Sequence, residues 1–291
     1  ALHEMQIAQI AGQIYEARDR VGVILIAGPS SSGKTTFSKR LGIQLLARGI
    51  TPFALEMDHF FIDREKTPIN PDGHRDYESL RALDLGRLNR DLKGLMEGRE
   101  VQLPRYDFIS GLSLDGARVQ LMKGDVIILE GIHGLNPGLL TDIDPATTFK
   151  IYVSCLTQLN LDRHNRISTT DTRMLRRILR DARDRGYSAT DTIRRWEAVR
   201  AGEKSHIFPY QENADVMFNS ALAYELTTLK PLVEPLLRQV PFGTPEHIEA
   251  KRLLKFLEWF LPTGTDYVPD NSILREFIGG SILTNFELWT R

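Results

Sequence analysis

The chain contains the octapeptide Gly28-Pro-Ser-Ser-Ser-Gly33-Lys34-Thr35, which follows an apolar run at 21–27 and precedes a helical repeat of Phe37, Leu41 and Leu45. This is the Walker A pattern G-x-x-x-x-G-K-[ST], placed between a predicted strand and a predicted helix. Backbone N–H groups of such a loop surround phosphate groups, and the positive end of the following helix attracts them. The pattern predicts a triphosphate-binding loop. The alternative is an ordinary glycine- and serine-rich turn.

The octapeptide also carries the side chains that nucleotide phosphates and their metal ion require. Lys34 is long enough to reach the β and γ phosphates, and the Thr35 hydroxyl is suited to a Mg²⁺ ligand. We therefore expect ATP and Mg²⁺ as ligands, held by residues of the loop and of the first helical turn: Gly28, Ser30, Ser31, Ser32, Gly33, Lys34, Thr35 and Thr36.

Composition and charge narrow the class of protein. The 37 basic residues are balanced by 38 acidic ones, so the chain lacks the basic field typical of proteins that bind nucleic acids. Its apolar runs are too short to cross a bilayer, and no signal-peptide pattern opens the chain. We expect a cytoplasmic protein with no membrane partner and a small-molecule substrate, while a nucleic-acid partner is disfavoured and a homo-oligomer stays open. The first residue is Ala1 rather than Met, which favours a piece of a longer protein.

Short apolar runs alternate with helical patterns along most of the chain. This order predicts an α/β fold of the P-loop NTPase type, with a doubly wound parallel sheet. The runs up to residue 129 lack the alternation of half-buried strands, as expected for parallel strands covered on both faces. The predicted strands are 21–27, 52–57, 126–129, 149–154 and 216–218.

Two carboxylates terminate predicted strands, where ligands bind in open α/β sheets. Asp58 ends the second strand, and a carboxylate there accepts the proton of an attacking hydroxyl or helps to hold Mg²⁺. The alternative for Asp58 is the cap of a following turn. Glu130 closes the strand at 126–129, in the Walker B position, and is expected to hold the metal or its water. An acidic residue after four apolar ones is also common without such a role.

Two polar segments are candidate substrate loops. The long loop after Asp58 contains Asp76, whose carboxylate is suited to sugar hydroxyls, and loops of this length are usually functional. A second predicted loop at 104–108 contains Tyr106, whose ring is suited to stacking on a small acceptor. A solvated turn is the alternative for each segment.

An arginine-rich stretch at 171–181 predicts a helical lid. Arg173, Arg176, Arg177 and Arg180 share one helical face, and guanidinium groups on a mobile segment neutralise charge on a transferring phosphoryl group. The alternatives are a solvated face with ion pairs, such as Arg177 with Asp181, and an RNA-binding helix. The predicted organisation is an N-terminal helix at 1–20, a P-loop domain at 21–225 with its lid at about 158–202, and a C-terminal helical extension at 226–291 packed on the same domain.

Six segments, in this order, resemble motifs of the uridine kinase and phosphoribulokinase family. The likeness covers residues 20–225, and the segments 130–136 and 207–220 are most similar to the longer bacterial uridine-kinase-like proteins. The segments are 28–36, Asp58-His-Phe-Phe61, 72–80, 104–108, 130–132 and 171–177.

The resemblance implies a P-loop kinase that phosphorylates a primary hydroxyl on a ribose-like substrate with ATP. It implies Lys34, Asp58, Arg173 and Arg176 as catalytic residues, with Asp58 as the base. Asp76 is then expected on sugar hydroxyls and Tyr106 near the acceptor ring. Arg173 and Arg176 are expected on phosphates, and Arg173 also beside the substrate.

Two residues depart from the uridine kinase pattern. Phe61 stands in the acceptor site where uridine kinases have a tyrosine, and Gly111 stands where they have a histidine that contacts the pyrimidine. A site that loses polar contacts to a base loses selectivity for it. The open alternatives are a phosphoribulokinase-like or pantothenate-kinase-like acceptor and, from another class, a non-catalytic binding module controlled by ATP.

Overall fold

A computed structural model describes residues 1–70, 73–157, 160, 163 and 166–288 of the chain. The strands in these residues are β1 (Val23–Ala27), β2 (Pro52–Glu56), β3 (Val101–Asp107), β4 (Leu112–Val119), β5 (Val126–Glu130), β6 (Thr148–Ser154) and β7 (Val216–Asn219). A parallel sheet has the order β2-β5-β1-β6-β7, and β3 and β4 form a separate antiparallel pair. The predicted α/β fold with a parallel sheet is confirmed.

Parts of two predicted segments lie outside the described residues. In the first substrate loop these are Pro71 and Asp72, the latter being the first residue of the motif at 72–80. In the predicted lid they are residues 158–159, 161–162 and 164–165.

The predicted helix after the Walker loop is present, and seven further α-helices lie in the described residues. They are α1 (Leu2–Glu16), α2 (Lys34–Leu46), α3 (Leu85–Met96), α4 (Thr169–Asp184), α5 (Ala189–His206), α6 (Glu225–Arg238), α7 (Pro245–Leu257) and the short α8 (Arg275–Ile278). The break between α4 and α5 contains Gly186, which has a φ of +68°, and Ser188 then starts α5 with a capping box. Among the described residues, no helix combines the length and apolarity that a membrane span requires.

Alternate residues of β1 face two different hydrophobic cores. Ile24 and Ile26 pack with α1, α2, α4 and α6, whereas Val23 and Leu25 pack with α3 and the β3–β4 hairpin. All four side chains are buried, which explains why this strand shows no polar alternation in the sequence.

The segment at 104–108 was predicted as a loop, and that prediction is wrong. Residues up to Asp107 belong to β3, and Tyr106 lies opposite Ser113 of β4. The register shifts between Gln102 and Pro104, where the missing N–H of proline interrupts the ladder. The strand could not be recognised in the sequence, because a proline inside an apolar run normally argues against a β-strand.

The C-terminal helices share the core that covers β1. Leu226 and Leu229 of α6, Leu253 of α7, and Ile273 and Leu274 before α8 all belong to the same buried cluster as Ile24 and Ile26. The packing of this region therefore contributes directly to the sheet that carries the Walker loop.

Replacing Leu274 with alanine should lower the free energy of unfolding by about 2–5 kcal/mol, because the side chain is fully buried. The matched control is Leu261→Ala, since Leu261 is 83% exposed in the same C-terminal region. Urea unfolding of the two variants measures the difference. Equal stabilities would show that the C-terminal region does not unfold together with the sheet.

Candidate active site

A cavity of about 880 Å³ opens at the carboxyl ends of three neighbouring strands. Strand β5 lies between β1 and β2, so Glu130 is level with Ile26 on one side and Glu56 on the other. The Walker loop follows β1, and Asp58 lies two residues beyond the end of β2. The strand order therefore brings the loop and both predicted carboxylates to one edge of the sheet.

The Walker loop has the backbone geometry of an anion cradle. Ser31 and Gly33 have φ values of 59° and 88°, and α2 begins immediately afterwards at Lys34. A Cβ on Gly28 would lie 2.1 Å from the carbonyl oxygen of Val153, so this close approach of β1 to β6 requires glycine. The buried hydroxyls of Ser31 and Ser32 have no hydrogen-bond partner within the described structure. These unpaired donors fit phosphate oxygens.

Two oxygen groups that suit Mg²⁺ lie together beside the loop. The Thr35 hydroxyl donates a 2.9 Å hydrogen bond to the Glu130 carboxylate. Burial raises the pKa of Glu130 to about 7, against the lowering effect of the Lys34 charge. A hydroxyl and a carboxylate are hard donors that match Mg²⁺, so the residues present fit this ion. Lys34 donates to the carbonyl oxygen of Pro29 over 3.3 Å, within its own loop.

Asp58 lines the same cavity and keeps solvent-accessible surface there. The surrounding protein raises the pKa of Asp58 above its usual value by desolvation, and the Glu56 charge adds to this. The charge of Lys34, which lines the same cavity, acts in the opposite direction. A carboxylate with a raised pKa is a stronger base toward a hydroxyl proton.

Aromatic rings form the wall opposite the Walker loop. The ring centroid of Phe61 lies 5.4 Å from that of Tyr106, 6.0 Å from that of Tyr77 and 6.5 Å from that of Phe108. All four rings line the cavity. The predicted substrate residues Phe61 and Tyr106 are thus in contact, and Tyr77 and Phe108 extend the same apolar surface.

Gly111 makes room for an arginine. A Cβ at position 111 would lie 2.6 Å from Nε of Arg64, and the φ of Gly111 is +74°. Arg64 lines the cavity and donates to the carbonyl oxygens of Phe108 and Ile109. A guanidinium group therefore fills the space beside Gly111.

Asp76 lies outside the residues that line the cavity. Its carboxylate accepts a 3.1 Å hydrogen bond from the N–H of Glu78 and so caps a turn. Glu78 itself lines the cavity, and burial raises its pKa to about 7. The structure thus brings Glu78, two residues after Asp76, to the cavity.

Arg173 and Arg176 also lie outside the cavity lining, in buried ion pairs. Arg173 pairs with Glu203, and Arg176 pairs with Glu225. Each arginine donates in addition to a Walker-loop carbonyl: Arg173 to Ser30 over 3.0 Å and Arg176 to Ser31 over 3.4 Å. In this structure the two arginines that were expected to bind phosphates instead hold the backbone of the Walker loop, outside the cavity lining.

Three other arginines face the cavity from α4 and the turn after it. Arg177, Arg180 and Arg185 lie 3.2, 3.0 and 3.7 Å from the single carboxylate of Asp181. Arg177 also donates to the Ser30 hydroxyl over 2.7 Å. The three guanidinium groups bring positive charge to this side of the cavity, where the charges of Glu78 and Asp58 also act on Arg177 and Arg185.

The sequence match with known families covers residues 23–226 and corresponds to the phosphoribulokinase and uridine kinase family. The chain belongs to this family of kinases. A uridine kinase of Staphylococcus aureus strain JH9 is 29% identical over 213 residues, covering 72% of this chain and 94% of that protein. The aligned region therefore includes nearly the whole length of the Staphylococcus aureus protein.

Two solved structures resemble the family member in part. One is provisionally named a fructose transport system kinase, from Silicibacter sp. TM1040, with 19% identity, a TM-score of 0.49, and coverage of 73% of this chain and 98% of that chain. The other is a possible uridine kinase from Bacillus stearothermophilus, with 22% identity, a TM-score of 0.44, and coverage of 68% and 89%. The family assignment rests on the sequence match.

Sequence reasoning missed several residues that line the cavity of this kinase. Arg185 and Tyr187 line the cavity, and a charged and aromatic turn beside an arginine-rich helix was a usable signal for them. Arg64 carried no signal, because its position depends on the hairpin that was missed. Glu276 lies beyond the matched residues and reaches the site only through the packing of the C-terminal region.

Arg176→Met should lower the free energy of unfolding by about 3–5 kcal/mol, because it leaves the Glu225 carboxylate buried without its partner. The double variant Arg176→Met with Glu225→Met should recover most of this loss, since it removes both charges. Urea denaturation measures both variants. If the single variant is as stable as wild type, the buried pair does not stabilise the fold, and the expectation that Arg176 binds phosphates stands again.

Proposed function

We propose that this protein transfers the γ-phosphoryl group of ATP, bound with Mg²⁺, to a hydroxyl of a nucleoside or a similar ribose-containing small molecule. The observation that carries the proposal is one cavity lined by the Walker loop, the Asp58 and Glu130 carboxylates and an aromatic wall. The uridine kinase relative supports a nucleoside as acceptor. The aromatic wall offers faces on which a base can stack.

The Walker loop is the phosphate-binding end of the proposed site. Its backbone N–H groups, the unpaired hydroxyls of Ser31 and Ser32, and Lys34 hold the phosphates. Thr35 and Glu130 hold Mg²⁺, which neutralises negative charge on the phosphates when it is bound. The guanidinium groups of Arg177, Arg180 and Arg185, which line the cavity, neutralise the charge on the transferring group.

Asp58 lies at the acceptor end and acts as the general base. It takes the proton of the acceptor hydroxyl while that oxygen bonds to the γ phosphorus and the bond from this phosphorus to the β–γ bridging oxygen breaks. The products are the phosphorylated acceptor and ADP. We propose that Glu78, rather than Asp76, contacts sugar hydroxyls, because Glu78 lines the cavity. Arg173 and Arg176 act indirectly, by fixing the carbonyl groups of Ser30 and Ser31.

The choice of acceptor depends on the two positions that differ from the uridine kinase pattern. Phe61 offers only a ring, and Arg64 fills the space beside Gly111. Arg64 provides donors where uridine kinases have a histidine, so an acceptor with carbonyl or anionic oxygens suits this wall. A phosphorylated pentose meets the same description and belongs in the test.

Incubation with Mg²⁺ and ATP should yield ADP in proportion to a suitable acceptor. The panel contains the common nucleosides, ribose, a phosphorylated pentose and pantothenate, and a coupled assay measures ADP. Lys34→Ala is the control, since it removes the ammonium group that reaches the phosphates. ADP release no greater than in this control with every acceptor would contradict the kinase proposal, and tight ATP binding without turnover would favour the binding module.

Asp58→Asn should lower kcat on the order of 10²-fold or more, because the amide cannot take up the hydroxyl proton. The Kd for ATP should change little, since the proposed base contacts the acceptor. The matched control is Asp266→Asn, at an exposed position of the C-terminal region. Steady-state kinetics and calorimetry measure the two quantities. An unchanged kcat would assign Asp58 a structural role.

A further inference from the structure

The C-terminal strap, residues 268–288, lies against the Walker loop and the helix that follows it. A Cβ on Gly33 would lie 2.4 Å from Cγ2 of Ile273, so the strap touches the loop itself. Lys39 of α2 donates to the carbonyl oxygens of Leu283 and Thr284 over 2.6 and 3.0 Å. The strap lies outside the residues that match the family, which end at 226. The family match therefore says nothing about these contacts, which are read from the structure of this chain alone.

One side chain of the strap reaches the phosphate-binding end of the cavity. The Glu276 carboxylate accepts a 3.0 Å hydrogen bond from the N–H of Thr36 and lines the cavity. Thr36 is in the first turn of α2, where N–H groups lack acceptors within the helix and attract anions. The carboxylate thus occupies a position that also suits a phosphate oxygen.

The strap holds Glu276 firmly in this position. Its neighbours Leu274 and Phe277 are buried, and the Glu276 carbonyl oxygen accepts a 2.9 Å hydrogen bond from Arg183. The Phe277 ring also lies under the guanidinium group of Arg176, at 5.0 Å. With its backbone fixed at the site, Glu276 presents its charge to any ligand that enters the loop.

We propose that Glu276 determines which form of the nucleotide this site accepts, by favouring the Mg²⁺ complex over the metal-free nucleotide. This inference rests on the proposed function. Glu130 and Glu276 place two carboxylates in one cavity with Thr35. The phosphates of a metal-free nucleotide bring further negative charge and are repelled, whereas the Mg²⁺ complex brings a cation that offsets both carboxylates.

Glu276→Gln separates the charge from the hydrogen bond. The amide oxygen of glutamine still accepts from the N–H of Thr36, but the side chain is neutral. The matched control is Glu287→Gln, at an exposed position of the same strap. Titration calorimetry with ADP, in excess MgCl₂ and in excess EDTA, gives two dissociation constants for each protein.

In EDTA, Glu276→Gln should bind ADP at least about tenfold more tightly than wild type, whereas in MgCl₂ the change should stay below about threefold. Glu287→Gln should match wild type in both buffers. An equal change in both buffers, or weaker binding by Glu276→Gln in EDTA, overturns the inference and leaves Glu276 as a helix cap. If wild type binds no nucleotide even with MgCl₂, the proposed function falls and the inference falls with it.

Discussion

The shape of the Walker loop depends on two buried arginine–carboxylate pairs. Arg173 and Arg176 are 2% and 0% exposed, and each joins a glutamate to a carbonyl oxygen of the loop. Charges buried in this way are tolerated only when nearly every donor has a partner. The glutamates come from the end of α5 and the start of α6, so helices far along the chain hold the nucleotide end of the site.

The strand order then decides which side chains meet around that loop. Because β5 lies between β1 and β2, Glu130 stands between the Walker loop and Asp58. Desolvation by the surrounding protein raises the pKa values of Asp58, Glu78 and Glu130, and nearby carboxylates such as Glu56 add to the shift of Asp58 and Glu130. Lys34 and the arginines of α4 balance this charge. The cavity therefore has negative and positive sides that match the two partners in phosphoryl transfer.

The aromatic wall of the cavity is built differently, in part from a hairpin outside the main sheet. Strands β3 and β4 present Tyr106 to Phe61, and the turn between them contains Gly111, against which Arg64 packs. Among the described residues the hairpin shares no strand pairing with the parallel sheet, but its Leu103 and Val119 pack in the same core as Val23 and Leu25 of β1.

The sequence by itself determined the parallel sheet, the Walker loop and the carboxylates at the strand ends, because these follow from local apolar runs and short motifs. It also predicted helical structure in the segment that contains α4 and α5. The tertiary structure decided which arginines of α4 face the cavity, since a polar helical face does not reveal what lies opposite. It also decided the place of Glu276, whose contact with Thr36 joins residues 240 positions apart. Such a contact depends on how the whole core packs, and no local pattern encodes it.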